Sequence, residues 1–216
     1  WCSGVLISPL SAAAAQAPFR QRRLLMGTWV DLTVHDSTQA GLGAAAEAAW
    51  SEMVRLTGLM NRFDPASDLS KLNRAAGREP VRVAPELMRV LLEAQRVTAR
   101  TAGAFDATVG RLTLGPLDEP ARQHALQHIG STHVTLDAPA HMAYIDNPST
   151  QLDLGGIAKL LILEAGMSAL AQRGVRGAMI NGGGDVLASE RADGSAWRIG
   201  VRDAAAPEHL LAVLPL

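Results

Sequence analysis

The sequence has little cysteine, lysine and aromatic content, and no excess charge of either sign. Its single cysteine, Cys2, excludes an intramolecular disulfide and a cysteine-rich metal site. Lys and Arg number 20 against 21 Asp and Glu, so the formal net charge of −1 gives no electrostatic basis for binding nucleic acid. At 216 residues and 48% hydrophobic content, the chain can bury a sizeable core, which excludes disordered and collagen-like classes.

The two ends of the sequence differ from the part between them. Residues 1–17 read WCSGVLISPLSAAAAQA, carry no charge and end in a small-residue pattern typical of a signal-peptide cleavage site. We therefore expect residues 1–17 to be the remnant of a signal peptide, with a disordered or expression-derived tail as the alternative. Residues 210–216 form an apolar run with no polar residue after it, from which we expect the C-terminal part of the gene product to be missing.

Strand and helix patterns alternate along residues 18–216, which we expect to form one domain. Period-two alternation, helical apolar spacing and turn residues distinguish the elements. The predicted strands cover 24–36, 81–83, 132–137, 142–146, 152–154, 177–180, 186–189, 197–201 and 210–216, and the predicted helices 44–60, 85–103, 118–128 and 156–173, with a single polar turn at 68–73. This order predicts an α+β fold, with a mixed, largely antiparallel sheet and packed helices.

Several familiar catalytic motifs are absent from the sequence. It contains no nucleophile elbow, no P-loop, no H-E-x-x-H motif and no G-x-G-x-x-G motif after a strand. His124 and His128 lie four residues apart on a predicted helix and could share a face. Because no carboxylate pattern accompanies them, we favour a solvated helix face over a metal site.

Three segments have compositions suited to ligand binding. Residues 152–159 place a glycine pair before a helix with Lys159 in its first turn, which suits a phosphate, although an ordinary strand–helix turn is equally consistent. Phe105 and Asp106 follow a helix end and could bind an aromatic heterocycle, but a buried Phe with a capping Asp is the favoured interpretation. The glycine run in residues 181–185 predicts a hairpin turn before it predicts an anion site.

Taken in order, five segments of the chain resemble the ApbE family of FAD:protein FMN transferases. The matching segments are Met26-Gly-Thr28 in the first strand, MNRFDPASDLSKLN at 60–73, TAGAFDATVG at 101–110, LDLGGIAK at 152–159 and INGGGDV at 180–186, the last of which precedes Trp197-Arg-Ile-Gly. The resemblance extends over residues 24–202.

The resemblance implies a set of site residues. Met26 and Phe63 would flank the flavin, and the family usually has Tyr at the position of Phe63. The remaining FAD contacts would come from Ala104, Phe105, Asp106, Asp153 and Lys159. The backbone carbonyl of Gly156 would be one Mg²⁺ ligand, and the other Mg²⁺ ligands of the family lie in a segment beyond Leu216.

The resemblance also implies an activity and a location. Such proteins split FAD with the help of Mg²⁺, transfer FMN to a Ser or Thr hydroxyl of a protein subunit of a membrane redox complex, and release AMP. They act in the periplasm at the outer face of the bacterial inner membrane, which implies export and a peripheral membrane association. Two alternatives stay open: a non-catalytic FAD-binding homologue, and a Mg²⁺-dependent pyrophosphatase that yields FMN and AMP.

Overall fold

The computed structural model describes residues 17–35, 41–191, 193–206 and 208–216. The expected signal-peptide remnant therefore lies outside the described residues, except for Ala17. The described elements are β1 (Phe19–Leu25), β2 (Thr28–Val34), α1 (Leu42–Met60), α2 (Asp68–Arg74), β3 (Val81–Arg82), α3 (Pro85–Arg100), α4 (Glu119–Leu126), a 3₁₀ turn (Ser131–His133), β4 (Val134–Asp137), β5 (Met142–Ile145), α5 (Ala158–Ala171), β6 (Ala178–Gly182), β7 (Asp185–Ala188), β8 (Arg198–Arg202) and β9 (Leu210–Pro215).

The strands form three separate sheets in the described part of the chain. Their strand orders are β1-β2-β6-β7, β3-β5-β4 and β8-β9. Every ladder between these strands is antiparallel, and a lone parallel bridge joins Val109 to Gln151. The predicted α+β class and its largely antiparallel pairing are therefore confirmed.

The core lies where α1 and α5 pack against each other and against the four-stranded sheet. Alternate residues of β2 (Val30, Leu32 and Val34) are fully buried, as expected for the inward face of a strand. A side chain at Gly166 of α5 would bring its Cβ to 2.8 Å from Sδ of Met53 on α1, so the glycine allows the two helices to approach this closely. This packing fixes the C-terminal end of α1 near the start of α5.

The structure corrects three of the predicted elements. A hairpin replaces the single strand predicted over 24–36: β1 and β2 meet at the turn formed by Met26 and Gly27. The polar segment at 68–73 is the two-turn helix α2, which begins after Ser67, whose side chain accepts a hydrogen bond from the Ser70 N–H. Residues 152–154 belong to no sheet: the Leu152 N–H donates to the Asn73 side chain and the Asp153 N–H to the Ala107 carbonyl.

Candidate functional site

The tip of the β1–β2 hairpin forms one wall of the site. Met26 and Gly27 both have left-handed backbone conformations, with φ of 53° and 71°, as a tight two-residue hairpin turn requires. Glycine adopts this conformation readily, but methionine does so rarely, and the flanking strands hold it there. The turn places Met26, one of the predicted flavin contacts, at the rim of a cavity.

The loop after α1 forms the facing wall. The Phe63 N–H donates to Oδ1 of Asn61 at 3.0 Å, which bends the chain directly after the helix. The Phe63 ring is 74% exposed, whereas the side chain of the preceding residue, Arg62, is only 8% exposed. The guanidinium carbon of Arg62 lies 5.1 Å from the Phe63 ring centroid, within the range of a cation–π contact.

Asp153 is held in place from both its backbone and its side chain. Its N–H donates to the Ala107 carbonyl at 2.7 Å, and its Oδ1 accepts from the Gly155 N–H at 2.8 Å. Its Oδ2 accepts hydrogen bonds from Nη1 of Arg62 at 2.7 Å and from the Thr113 hydroxyl at 2.5 Å. The carboxylate therefore has a fixed orientation and a buried cationic partner.

Asn73 of α2 secures the segment on which Asp153 lies. Its side-chain amide donates to the Leu152 carbonyl at 3.0 Å, and its amide oxygen accepts from the Leu152 N–H at 2.8 Å. A side chain thus pairs with the backbone of Leu152 as a neighbouring strand would. The backbone N–H and C=O of Leu152 therefore have hydrogen-bond partners although no strand pairs with this residue.

Lys159 lies in the first turn of α5, as its position after the glycine pair predicts. Its Nζ is 3.3 Å from Oδ2 of Asp185, at the start of β7. The glycine run before Asp185 is the predicted hairpin turn: Gly183 and Gly184 have φ of 65° and 105°, and the Gly184 N–H donates to Oδ1 of Asn181. The turn thus has the hairpin geometry that the sequence predicts first, and anion binding at this turn stays a prediction.

These walls enclose a cavity of about 540 Å³. Its apolar surfaces come from the hairpin tip, the C-terminal part of α1 and the first turns of α5, and its cations are Arg62 and Lys159. The lining residues are Met26, Gly27, Thr57, Met60, Asn61, Arg62, Phe63, Asp153, Leu154, Gly155, Ala158, Lys159 and Ile162. Four of the predicted FAD contacts thus line one cavity: Met26, Phe63, Asp153 and Lys159.

The segment at 104–106 follows the end of α3 and is not among the residues that line this cavity. Both carboxylate oxygens of Asp106 are engaged within the protein: Oδ1 accepts from the N–H and hydroxyl of Thr108, and Oδ2 accepts from the Ser131 N–H. Phe105 is half-buried, and a Cβ on Gly156 would be 3.2 Å from its Cε2. The roles of Ala104, Phe105 and Asp106 in nucleotide binding stay predictions.

The metal-site prediction at Gly156 has little support from neighbouring side chains. Within the described ranges, no group of three or more His, Cys, Asp or Glu side chains could hold a metal ion. Magnesium prefers several oxygen ligands in octahedral geometry, which one backbone carbonyl does not supply. The role of the Gly156 carbonyl as a Mg²⁺ ligand stays a prediction.

His124 and His128 contact each other, but α4 ends at Leu126, so His128 lies beyond the helix and is half-buried. Their rings are in an edge-to-face contact with centroids 4.5 Å apart, and Nδ1 of His128 lies 2.9 Å from Nδ2 of Asn147. His124 is on the exposed side of α4, 3.4 Å from the Ser149 hydroxyl. No carboxylate joins them to complete a metal site in the described residues.

Arg62 and Thr113 are the site residues that sequence reasoning missed. Arg62 stands within the quoted segment 60–73, but its only signal is its position beside Phe63. Thr113 follows Gly110 in a segment without a recognisable pattern. Their partner Asp153 is 91 residues from Arg62 in sequence, so only the fold reveals the contact.

The fold is an α+β domain whose cavity is partly apolar and contains two cations. These features define a class of protein that binds an anionic ligand with an apolar part. The sequence model of the ApbE family matches residues 26–216. The chain belongs to the ApbE family, and the predicted resemblance is confirmed.

Curated relatives in this family are named FAD:protein FMN transferases. One from Vibrio cholerae is 30% identical over 154 residues, covering 66% of this chain and 46% of the relative. One from Chlamydia muridarum is 28% identical over 164 residues, covering 70% of this chain and 50% of the relative. The chain thus spans about half the length of these two curated relatives.

Solved structures of the family share the fold. The ApbE protein from Thermotoga maritima superimposes with a TM-score of 0.82 at 28% identity, covering 93% of this chain and 68% of that one. The flavin transferase ApbE from Vibrio cholerae superimposes with a TM-score of 0.77 at 23% identity, covering 87% of this chain and 64% of that one. Among the described ranges, no helix combines the length and the apolar composition that a membrane span requires.

Proposed function

We propose that the protein containing this chain transfers FMN from FAD to a Ser or Thr hydroxyl of an acceptor protein. The observation that carries the proposal is the cavity, which the half-buried Met26 and the exposed Phe63 line together with the cations Arg62 and Lys159. Apolar side chains suit a flavin ring and the cations suit its phosphates. Family membership and the names of the relatives agree with this ligand.

In the proposed reaction the acceptor hydroxyl oxygen forms a bond to the phosphorus of the FMN half. The bond from this phosphorus to the oxygen that bridges the pyrophosphate breaks, AMP leaves with that oxygen, and the hydroxyl proton is released. Such phosphoryl transfer needs positioning and charge stabilisation more than covalent help from the protein. Within this chain, Lys159 at the start of α5 would bind phosphate charge, and Asp153 would keep Arg62 oriented at the cavity wall.

The proposal includes dependence on Mg²⁺, which would neutralise charge on the transferred phosphoryl group. It also includes an acceptor in a membrane redox complex, action at the outer face of the bacterial inner membrane and a peripheral association with it. Family resemblance supports these points, and the signal-like composition of residues 1–17 supports export.

The test is to incubate the full-length protein with FAD and follow two products: free AMP by chromatography and covalent FMN on the acceptor by mass spectrometry. We expect AMP release only with Mg²⁺, and its loss in the Asp153→Ala variant. Asp137→Ala is the matched control, because Asp137 is exposed in the β4–β5 hairpin and does not line the cavity.

The same assay separates the alternatives. AMP release without covalent FMN on any acceptor would indicate a pyrophosphatase. FAD binding without AMP release would indicate a non-catalytic binding protein. No FAD binding by the folded full-length protein would overturn the proposal.

A further inference from the structure

Arg62 carries a hydrogen-bond donor that the protein leaves unused. Its side chain is 92% buried, and Nη2 is a buried nitrogen without a hydrogen-bond partner among the described residues. Buried guanidinium groups normally have all their donors engaged, because an unpaired donor loses its hydration without compensation. Such a group at a cavity wall therefore indicates an acceptor that belongs to a ligand.

The other side of the guanidinium is firmly held. Nη1 donates to Oδ2 of Asp153 at 2.7 Å and to the Thr113 hydroxyl at 2.6 Å, and the same hydroxyl donates to Asp153 at 2.5 Å. This closed triangle fixes the plane of the guanidinium. Because the fork of donors is rigid, fixing Nη1 also fixes the direction of Nη2.

Arg62 also lies between two cavities. Besides the 540 Å³ cavity, it lines a neighbouring one of about 300 Å³, together with Phe63, Arg74, Leu114 and other residues. In the second cavity two side chains are engaged within the protein: the Ser70 hydroxyl donates to the Arg62 carbonyl, and Nη1 of Arg74 donates to the Pro65 carbonyl. Among the described residues that line either cavity, Arg62 is the one with a buried side-chain donor that has no partner.

From these observations we propose that Arg62 binds a phosphate of the ligand through Nη2, while Asp153 and Thr113 hold its Nη1. The inference deepens the proposed function and rests on it for the identity of the ligand. The Phe63 ring beside the guanidinium is largely exposed, so it can turn toward the flavin without leaving a packed position. The proposal requires the buried Nη2 to become accessible to the phosphate oxygen, and rotation of the neighbouring Phe63 ring would supply that access.

The test compares ligands with and without phosphate on the full-length protein. We expect Arg62→Gln to weaken binding of FAD and FMN about tenfold to a hundredfold, the usual range for one hydrogen bond to a charged group. Riboflavin, which has no phosphate, should bind within about twofold of its wild-type affinity, since Nη2 has no acceptor on it. Arg62→Lys should recover part of the lost affinity, because it keeps the charge but not the fork.

A second readout does not depend on the flavin. Inorganic pyrophosphate, titrated by calorimetry, should bind the wild-type protein and bind Arg62→Gln about tenfold more weakly. Arg55→Gln is the matched control, since Arg55 is an exposed arginine that does not line the cavity, and it should leave all four ligands unaffected.

Each outcome decides a separate claim. An equal loss for FAD, FMN and riboflavin would overturn the proposal, because it would show that Arg62 only supports the site structurally. Unchanged pyrophosphate binding in Arg62→Gln would overturn it as well. If pyrophosphate binding requires Arg62 but FAD does not bind the wild-type protein, the anion site stands and the proposed function fails.

Discussion

Two arginines close together on the chain, Arg55 and Arg62, make the same kind of ion pair in different surroundings. Arg55 on α1 is 47% exposed and donates to Glu52 at 2.8 Å and to Glu86 of α3 at 2.5 Å. Arg62, just after α1, is 8% exposed and has one carboxylate partner, Asp153. The arginine with more partners is thus the one in contact with solvent.

The comparison separates a structural ion pair from a site. Water can solvate the Arg55 donors that the two glutamates do not bind. Because these ion pairs are exposed, they add little stability, although the pair with Glu86 joins α1 to α3. Water does not reach the buried Nη2 of Arg62, so this donor depends on a ligand for an acceptor. Desolvation, and not the number of ion pairs, marks the functional arginine in this fold.

The largest expected effect is on the free energy of unfolding, when the carboxylate partner of each arginine is replaced by the amide of the same shape. Asp153→Asn should lower the free energy of unfolding by about 2 kcal/mol, because it leaves Arg62 buried without a counter-ion. Glu86→Gln should cost less than about 1 kcal/mol, since Arg55 keeps Glu52 and its solvent contact. Urea unfolding of both full-length variants at neutral pH measures the difference, and equal losses would refute the distinction drawn here.

A smaller effect is expected at the second cation of the cavity. Lys159→Gln should weaken FAD binding about tenfold through the loss of a phosphate partner. Asp185→Asn, which frees Lys159 from its exposed partner, should leave FAD affinity the same or slightly higher. Fluorescence titration with FAD measures both variants, and a strong loss in Asp185→Asn would instead show that the ion pair positions Lys159.

The smallest effect concerns pH and the exposed arginine. Hydrogen bonding with Arg55 is the main cause that lowers the pKa of Glu52; for Glu86 the pKa is lowered first by its own backbone N–H and then by Arg55. Because these carboxyls have lower pKa values in the folded chain, the unfolded chain binds more protons as the pH falls below about 4.5. The stability that they contribute is therefore present above that pH and is lost below it.

The measurement is the melting temperature of the full-length protein between neutral pH and pH 3, alone and with Arg55→Met. The wild-type melting temperature should fall more steeply below about pH 4.5 than that of the variant, by a few degrees at most. Identical pH profiles would show that the Arg55 pairs contribute nothing measurable to the folded state.

The fold was largely predictable where local patterns determine the elements. The apolar faces of α1 and α3 and the paired strands β4 and β5 follow from periodicity alone. Strand β1 was missed because its residues 20–23 are Arg-Gln-Arg-Arg, and its outward face carries charge while pairing with β2 supplies its backbone hydrogen bonds. A charged edge strand has little apolar alternation for a sequence pattern to detect.

The family resemblance named candidate site residues but none of the contacts between them. Met26, Phe63, Asp153 and Lys159 were identified by family resemblance, and the structure gathers them around one cavity. Arg62 could not be identified as the partner of Asp153, because the contact joins two loops that only the packing of α1 against α5 brings together. The unused donor on Arg62 is likewise a property of burial, which no local sequence pattern encodes.

A crystal structure of the full-length protein with FAD tests the central claim most directly. We predict that the isoalloxazine ring lies between Met26 and Phe63, with phosphate oxygens within hydrogen-bonding distance of Lys159 and of Nη2 of Arg62. A flavin bound elsewhere, with the Arg62 and Asp153 side chains unchanged and Nη2 still without an acceptor, would contradict it.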